Sequence, residues 1–194
     1  MERLKPETHN SGWIEVICGS MFSGKTEELI RRLKRARIAR QEVRIFKPNL
    51  DKRYDDLKVV SHDSNFVESI PVASSSEIPG LCGTAEVVAI DEAQFFDAGL
   101  PAICETLANR GVRVIVAGLD MDFLGKPFGP MPQLMAIAEY VKKVHAICIR
   151  CGNLAHHSFR TVENTATIML GQHDSYVPLC RSCYLREKAA KESA

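Results

Sequence analysis

The chain has 194 residues, 45% of them hydrophobic and 25% charged, with 25 Lys and Arg against 24 Asp and Glu. That composition excludes a disordered or fibrous chain and leaves room for one full domain with a small appendix. A formal net charge of +1 argues against a protein whose main task is coating nucleic acid, and no apolar run approaches the roughly 20 residues of a membrane span.

Residues 1 to 12 read as polar and loose. Met1 to Glu7 mixes charged and polar groups and has no apolar h-region, so the expectation is a cytoplasmic protein without a secretory signal or membrane association. Trp13-Ile14-Glu15-Val16-Ile17-Cys18 is predicted as a first strand. A helix is predicted from Thr26 to about Arg40, with Leu29, Ile30, Leu33 and Ile38 near one face. Glu27 and Glu28 fall in its first turn, where the helix dipole favours acids.

Val43 to Phe46 reads as a second strand closed by Lys47-Pro48-Asn49. Leu57 to Val60 and Phe66 to Val72 look like short strands, and Ser74-Ser75-Ser76 like a turn or helix start. Val87-Val88-Ala89-Ile90 is a continuous apolar run, as in a strand buried on both faces. Residues 98 to 110 look helical, Val112 to Ala117 is another core strand, Gly118 to Pro132 a loop, and Gln133 to Tyr140 a short helix. Strands alternating with helices predict an α/β fold: a mostly parallel sheet with helices on both faces. Near residue 144 the character changes, which divides the chain into a domain at 1–144 and a small metal-pinned module at 145–194.

Gly19-Ser20-Met21-Phe22-Ser23-Gly24-Lys25-Thr26 matches the P-loop pattern at every fixed position. The two glycines permit a loop wrapped around a phosphate, whose inward N–H groups and following helix N-terminus attract an anion. Lys25 supplies a point charge for the outer phosphates and Thr26 a hydroxyl for Mg²⁺. The second half of such a site is an acid at the end of a core strand. Asp91 stands there, as a ligand for Mg²⁺ directly or through water, followed by Glu92, which can accept a proton from an attacking hydroxyl or simply shape the loop.

Seven cysteines include two C-x-x-C pairs, Cys148/Cys151 and Cys180/Cys183. Together they suit a closed, structural Cys₄ zinc site, whereas each pair alone would also suit redox chemistry or buried thiols. His156, His157 and His173 lie between the pairs as surface or substrate-loop residues that can in principle replace a thiolate. Cys18, Cys82 and Cys104 read as buried apolar fillers. Arg31, Arg32, Lys34, Arg35, Arg37 and Arg40 crowd the first helix, either as a solvated outer face or as a nucleic-acid patch.

The P-loop octet, Asp91-Glu92-Ala93-Gln94-Phe95-Phe96, Gly118-Leu119-Asp120 with Lys126-Pro127-Phe128-Gly129, and the cysteine pairs with Tyr176 before the second resemble the zinc-containing thymidine kinase family of bacteria and animal cytosol. The resemblance runs from about Trp13 to Tyr184. It implies a RecA-like P-loop NTPase domain, and a zinc-ribbon-like domain carrying a lasso over the nucleoside. The implied reaction moves the γ-phosphate of ATP to the 5′-hydroxyl of thymidine, with feedback inhibition by the triphosphate dTTP and a homotetrameric assembly.

On the same resemblance Glu92 is the proton acceptor, and Gly19 to Thr26 with Asp91, Glu92, Ala93 and Gln94 form the ATP site. Met21, Asp51, Arg53, Phe95, Leu119, Phe123, Ser158, the lasso residues Thr167, Ile168, Met169, Leu170 and Gly171, and Tyr176 match positions around the nucleoside or phosphate. Ser20 replaces a proline found in some members and Thr26 a serine; both keep the chemistry. A nucleic-acid-dependent ATPase with a zinc module is the alternative, since Asp91-Glu92-Ala93-Gln94 spells a helicase-like box, although a helicase needs two RecA-like domains.

Overall fold

The computed structural model describes residues 11–49, 58–59, 67–162 and 175–192. In chain order it runs β1 (Trp13–Cys18), α1 (Lys25–Ile38), β2 (Val43–Pro48), β3 (Lys58–Val59), β4 (Val67–Glu68), β5 (Ile70–Val72), α2 (Ile78–Leu81), β6 (Val87–Ile90), α3 (Leu100–Asn109) and β7 (Arg113–Gly118). It continues with α4 (Met131–Ile137), β8 (Tyr140–Lys143), β9 (Ala146–Ile147), β10 (Leu154–Ala155), β11 (His157–Arg160), β12 (Tyr176–Leu179) and α5 (Arg181–Glu192).

Six strands form a wholly parallel sheet in the order β5-β2-β6-β7-β1-β8. Apolar residues at successive strand positions face opposite ways, so the sheet has two buried faces. Ile14, Val16, Val88, Ile90, Val114 and Val116 pack under Leu100, Cys104 and Leu107 of α3 and Met131 and Leu134 of α4. Ile17, Ile45, Val87, Ala89, Ile115 and Ala117 pack under Leu29, Ile30, Leu33 and Ala36 of α1. A third, smaller cluster gathers Ala146, Cys148, Ala155, Phe159, Leu179, Cys180, Cys183 and Tyr184. Cys18, Cys82 and Cys104 are buried.

Two expectations are corrected. Ile38 does not join the packed face of α1; it is 82% exposed, because five residues past Leu33 it lies about 140° round the helix. The helix expected at 133–140 lies at Met131–Ile137 instead. Pro132 occupies its first turn, and Ala138 at ψ 136° turns the chain to extended backbone. Glu139 then accepts a hydrogen bond from the Ile14 N–H at 2.7 Å, and Tyr140–Lys143 adds a sixth strand beside β1. The Ser74–Ser76 turn is a short 3₁₀ helix, Ser75–Glu77, entered by a Ser74/Glu77 capping box. Among the described residues no helix is long and apolar enough to cross a membrane.

Candidate active site

The site lies along the C-terminal ends of β1, β6 and β7, where open parallel sheets bind ligands. At the end of β1 the chain turns through Gly19 to Gly24. A Cβ on Gly19 would stand 2.2 Å from the Val144 carbonyl oxygen, so the loop can pass under β8 only with glycine there. Gly24, left-handed at φ 81°, starts α1 on its first N–H groups. The Ser20 carbonyl accepts from both Ser23 Oγ and Lys25 Nζ at 2.7 Å. The loop is therefore folded on itself, with the lysine ammonium held across it. Burial lowers the Lys25 pKa, opposed by the negative charges of Glu92, Asp91, Asp120 and Glu27.

Asp91, at the end of β6, is buried. Its pKa is raised, first by burial and then by the charge of Glu92; the Glu92 N–H, Lys25 and Lys47 act against the rise. A carboxyl in that state gains from a cation. Glu92 follows in left-handed backbone, φ 52° and ψ 39°, a conformation costly for a residue with a side chain, and its side chain is exposed. Gln94, 2% exposed, donates from Nε2 to Glu92 Oε2 at 2.5 Å and accepts the Leu119 N–H on Oε1 at 2.9 Å.

Asp120, buried at the end of β7, pairs one oxygen with Lys143 at 2.5 Å. Its other oxygen has no hydrogen-bond partner among the described residues.

The four thiols of Cys148, Cys151, Cys180 and Cys183 lie within 4.8 Å of one another. The Cys151–Cys180 separation of 3.6 Å is far too long for a disulfide and close to the edge of about 3.8 Å of a tetrahedron with Zn–S about 2.3 Å. Burial raises the Cys148 thiol, but N–H groups of Cys180, Arg150 and Cys151 more than offset it and bring the pKa down to about 6. Cys183 is pushed up to about 12 by burial and by the other three thiols. Four sulfurs cannot all ionise here without a shared cation, so the donor set fits a metal ion.

The family model for thymidine kinase matches residues 12–184. The chain belongs to the thymidine kinase family. A protein named thymidine kinase from Bacteroides thetaiotaomicron is 62% identical over 182 residues, spanning 94% of this chain and 92% of that one. One from Porphyromonas gingivalis is 61% identical over 184 residues, 95% and 90% of the two chains. One from Rhodothermus is 60% identical over 173 residues, 89% and 81%.

Of the positions that the thymidine kinase resemblance assigns to the nucleoside, the Met21 N–H donates to Ser158 Oγ at 3.0 Å. This bond ties the loop after β1 to β11. Leu119 is held by Gln94, and Phe95 meets Phe128 edge to face at 5.5 Å. Phe123 and Tyr176 both contact Arg160. Asp51, Arg53, Thr167, Ile168, Met169, Leu170 and Gly171 lie outside the described residues, as does His173.

His157, expected at the surface or in a substrate loop, is 5% exposed and stacked on Tyr184 at 4.4 Å. The correction follows from strand pairing: β11 lies against β12, and the ring is turned into the third cluster. Sequence reading also missed Arg160, since one arginine between two cysteine pairs carries no local signal.

Proposed function

We propose that this protein transfers the γ-phosphate of ATP to the 5′-hydroxyl of thymidine, giving dTMP and ADP. Relatives named thymidine kinase at 60% identity or more, spanning 81–92% of their own lengths, support it. The observation that carries the chemistry is the placement of Lys25 and the Asp91–Glu92 pair at the ends of β1 and β6, on either side of β7.

In this reading residues 19–26 form a P-loop in a RecA-like domain at 1–144, and residues 145–194 a zinc-ribbon-like domain whose lasso covers the nucleoside. Glu92 takes the proton of the thymidine hydroxyl. One of its oxygens is engaged by Gln94, which leaves the other for that proton. Lys25 stabilises charge on the phosphates. Thr26 and Asp91 would hold Mg²⁺, which when bound neutralises the phosphate oxygens. The four cysteines would hold Zn²⁺ as a structural ion. Asp51 and Arg53, with the lasso, complete the substrate site, and positioning supplies much of the rate.

Homotetrameric assembly, inhibition by dTTP and a cytoplasmic location belong to the same proposal.

Two features of α1 weigh against the nucleic-acid reading. Glu28 engages both Arg31 and Arg32, at 2.7 Å and 2.9 Å, and Glu15 also engages Arg32. Arg32 is thus committed within the fold, and Arg31 is paired on the solvated face of the helix. The deciding experiment measures ADP release with Mg²⁺ and ATP against a panel of nucleosides and polynucleotides. Thymidine-dependent release with dTMP formed is expected. Hydrolysis stimulated by DNA or RNA and indifferent to thymidine would overturn the proposal.

A further inference from the structure

Arg160 ends β11, and its side chain is enclosed by two aromatic residues from distant parts of the chain. It is 3% exposed. Its guanidinium carbon lies 3.7 Å from the Phe123 ring centroid and 5.2 Å from that of Tyr176. Nε and Nη2 both donate to the Tyr176 hydroxyl, at 3.0 Å and 2.5 Å. The backbone repeats the pairing, because Arg160 and Tyr176 stand opposite each other in the β11–β12 ladder. From behind, Lys191 Nζ donates to the Arg160 carbonyl oxygen at 2.8 Å.

A tyrosine hydroxyl has one proton to give and two lone pairs. Two cationic N–H groups converge on that oxygen from one side, so the hydroxyl proton is turned away from Arg160 and is offered to a further acceptor. The planar fork that stacks on one ring while donating twice to another is specific to arginine, and lysine cannot reproduce it.

We infer that Arg160 is a positioning residue for the nucleoside: it fixes the Phe123 and Tyr176 rings relative to each other and sets the Tyr176 hydroxyl to donate to an acceptor oxygen of the substrate. The inference rests on the proposed function, which makes Phe123 and Tyr176 walls of the nucleoside site. It assigns to a buried cation outside the reacting centre the coupling between the β11–β12 hairpin and the loop after β7.

The test is steady-state kinetics on full-length Arg160→Met and Arg160→Lys, with bound zinc measured on each and Tyr176→Phe combined with each in a double-mutant cycle. Arg160→Met is expected to raise the KM for thymidine about 10-fold, the scale of a lost charge-assisted pair. The KM for ATP, the zinc content and kcat should stay within about 3-fold of the parent. Arg160→Lys, which keeps the charge, is expected to give a smaller rise in the same constant. In the Tyr176→Phe background either change should cost less than in the parent. An unchanged thymidine KM in Arg160→Lys, or equal rises in both KM values together with zinc loss, overturns the inference. So do additive effects with Tyr176→Phe. A parent enzyme that makes no dTMP would instead refute the proposed function, so the two failures are distinguishable. If Arg160→Met does not fold, the lysine variant and its cycle decide.

Discussion

Gln94 bridges Glu92 and Leu119: its amide nitrogen donates to the carboxylate at 2.5 Å, and its amide oxygen accepts the backbone N–H at 2.9 Å. The backbone donor settles which way the amide points, since only oxygen can accept it. Gly129 makes room for this arrangement, because a Cβ there would lie 2.2 Å from the Gln94 carbonyl oxygen. Glu92 is thus held from two sides, by left-handed backbone and by one pinned oxygen. Glu92→Gln is expected to keep ATP and thymidine binding while lowering kcat by about 10²-fold or more. Gln94→Leu removes the pin without touching the carboxylate, and should lower kcat by about 10-fold with little change in the KM for ATP. Single-turnover rates check both, and near-parental turnover in Glu92→Gln removes that residue from its role.

The cysteine cluster makes a separate prediction. Cys180 begins the turn between β12 and α5, and its thiol lies among three others. Cys180→Ser should weaken metal binding and loosen β12, which carries Tyr176. The KM for thymidine is expected to rise before that for ATP, because the loop at residues 19–24 rests on β1 and α1 and meets β11 through Met21–Ser158. Atomic absorption on the purified enzyme, followed by kinetics after chelation, tests this. Full activity without bound zinc would refute it.

The parts of the site legible in the sequence are those carried on one short stretch. The octet at residues 19–26 and Asp91–Glu92 each follow an apolar strand, so their place at strand ends could be read directly. The cysteine pairs were legible because tetrahedral metal ligation imposes spacing, and the four thiols do come together. Strand β8 was not, since all four of its residues are exposed and Tyr-Val-Lys-Lys shows neither a buried run nor alternation. Arg160 was not either, because its meaning arises only when β11 folds beside Phe123. His157 looked like a surface residue because burying an imidazole depends on a stacking partner, Tyr184, that is distant in the chain.

Glu15 interrupts the apolar run of β1 with a buried charge. Arg32 of α1 and Arg113 of β7 both engage it, the latter at 2.6 Å, and Trp13 Nε1 donates at 2.7 Å. Burial raises its pKa, but these partners outweigh burial and hold the carboxyl below the ordinary range. The cluster fastens α1 to the sheet. Glu15→Gln leaves Arg113 facing a neutral group and Arg32 with Glu28 alone, and should cost about 3 kcal/mol of unfolding free energy. Urea midpoints at pH 7 test this; a loss below about 0.5 kcal/mol would mean that solvent replaces the carboxylate.

The last prediction concerns acid. His157 has its pKa lowered to about 4, first by burial and then by the charges of His156, Arg181 and Lys143; Asp120 acts in the opposite sense. Its Nδ1 has no partner among the described residues, so a proton there would meet no acceptor. The unfolded chain binds that proton near the ordinary value of 6.5. Between pH 6.5 and 4 the unfolded state therefore holds more protons than the folded one, and stability falls as pH drops through that window. Stability from this source is complete above pH 6.5. His157→Gln cannot titrate, so its loss between pH 7.5 and pH 5 should be smaller than the parent's by about 1–2 kcal/mol. Protonation of the four clustered thiols affects both proteins and cancels in the comparison. Equal pH dependence of the two urea midpoints would show that His157 is protonated in the folded state as easily as in water.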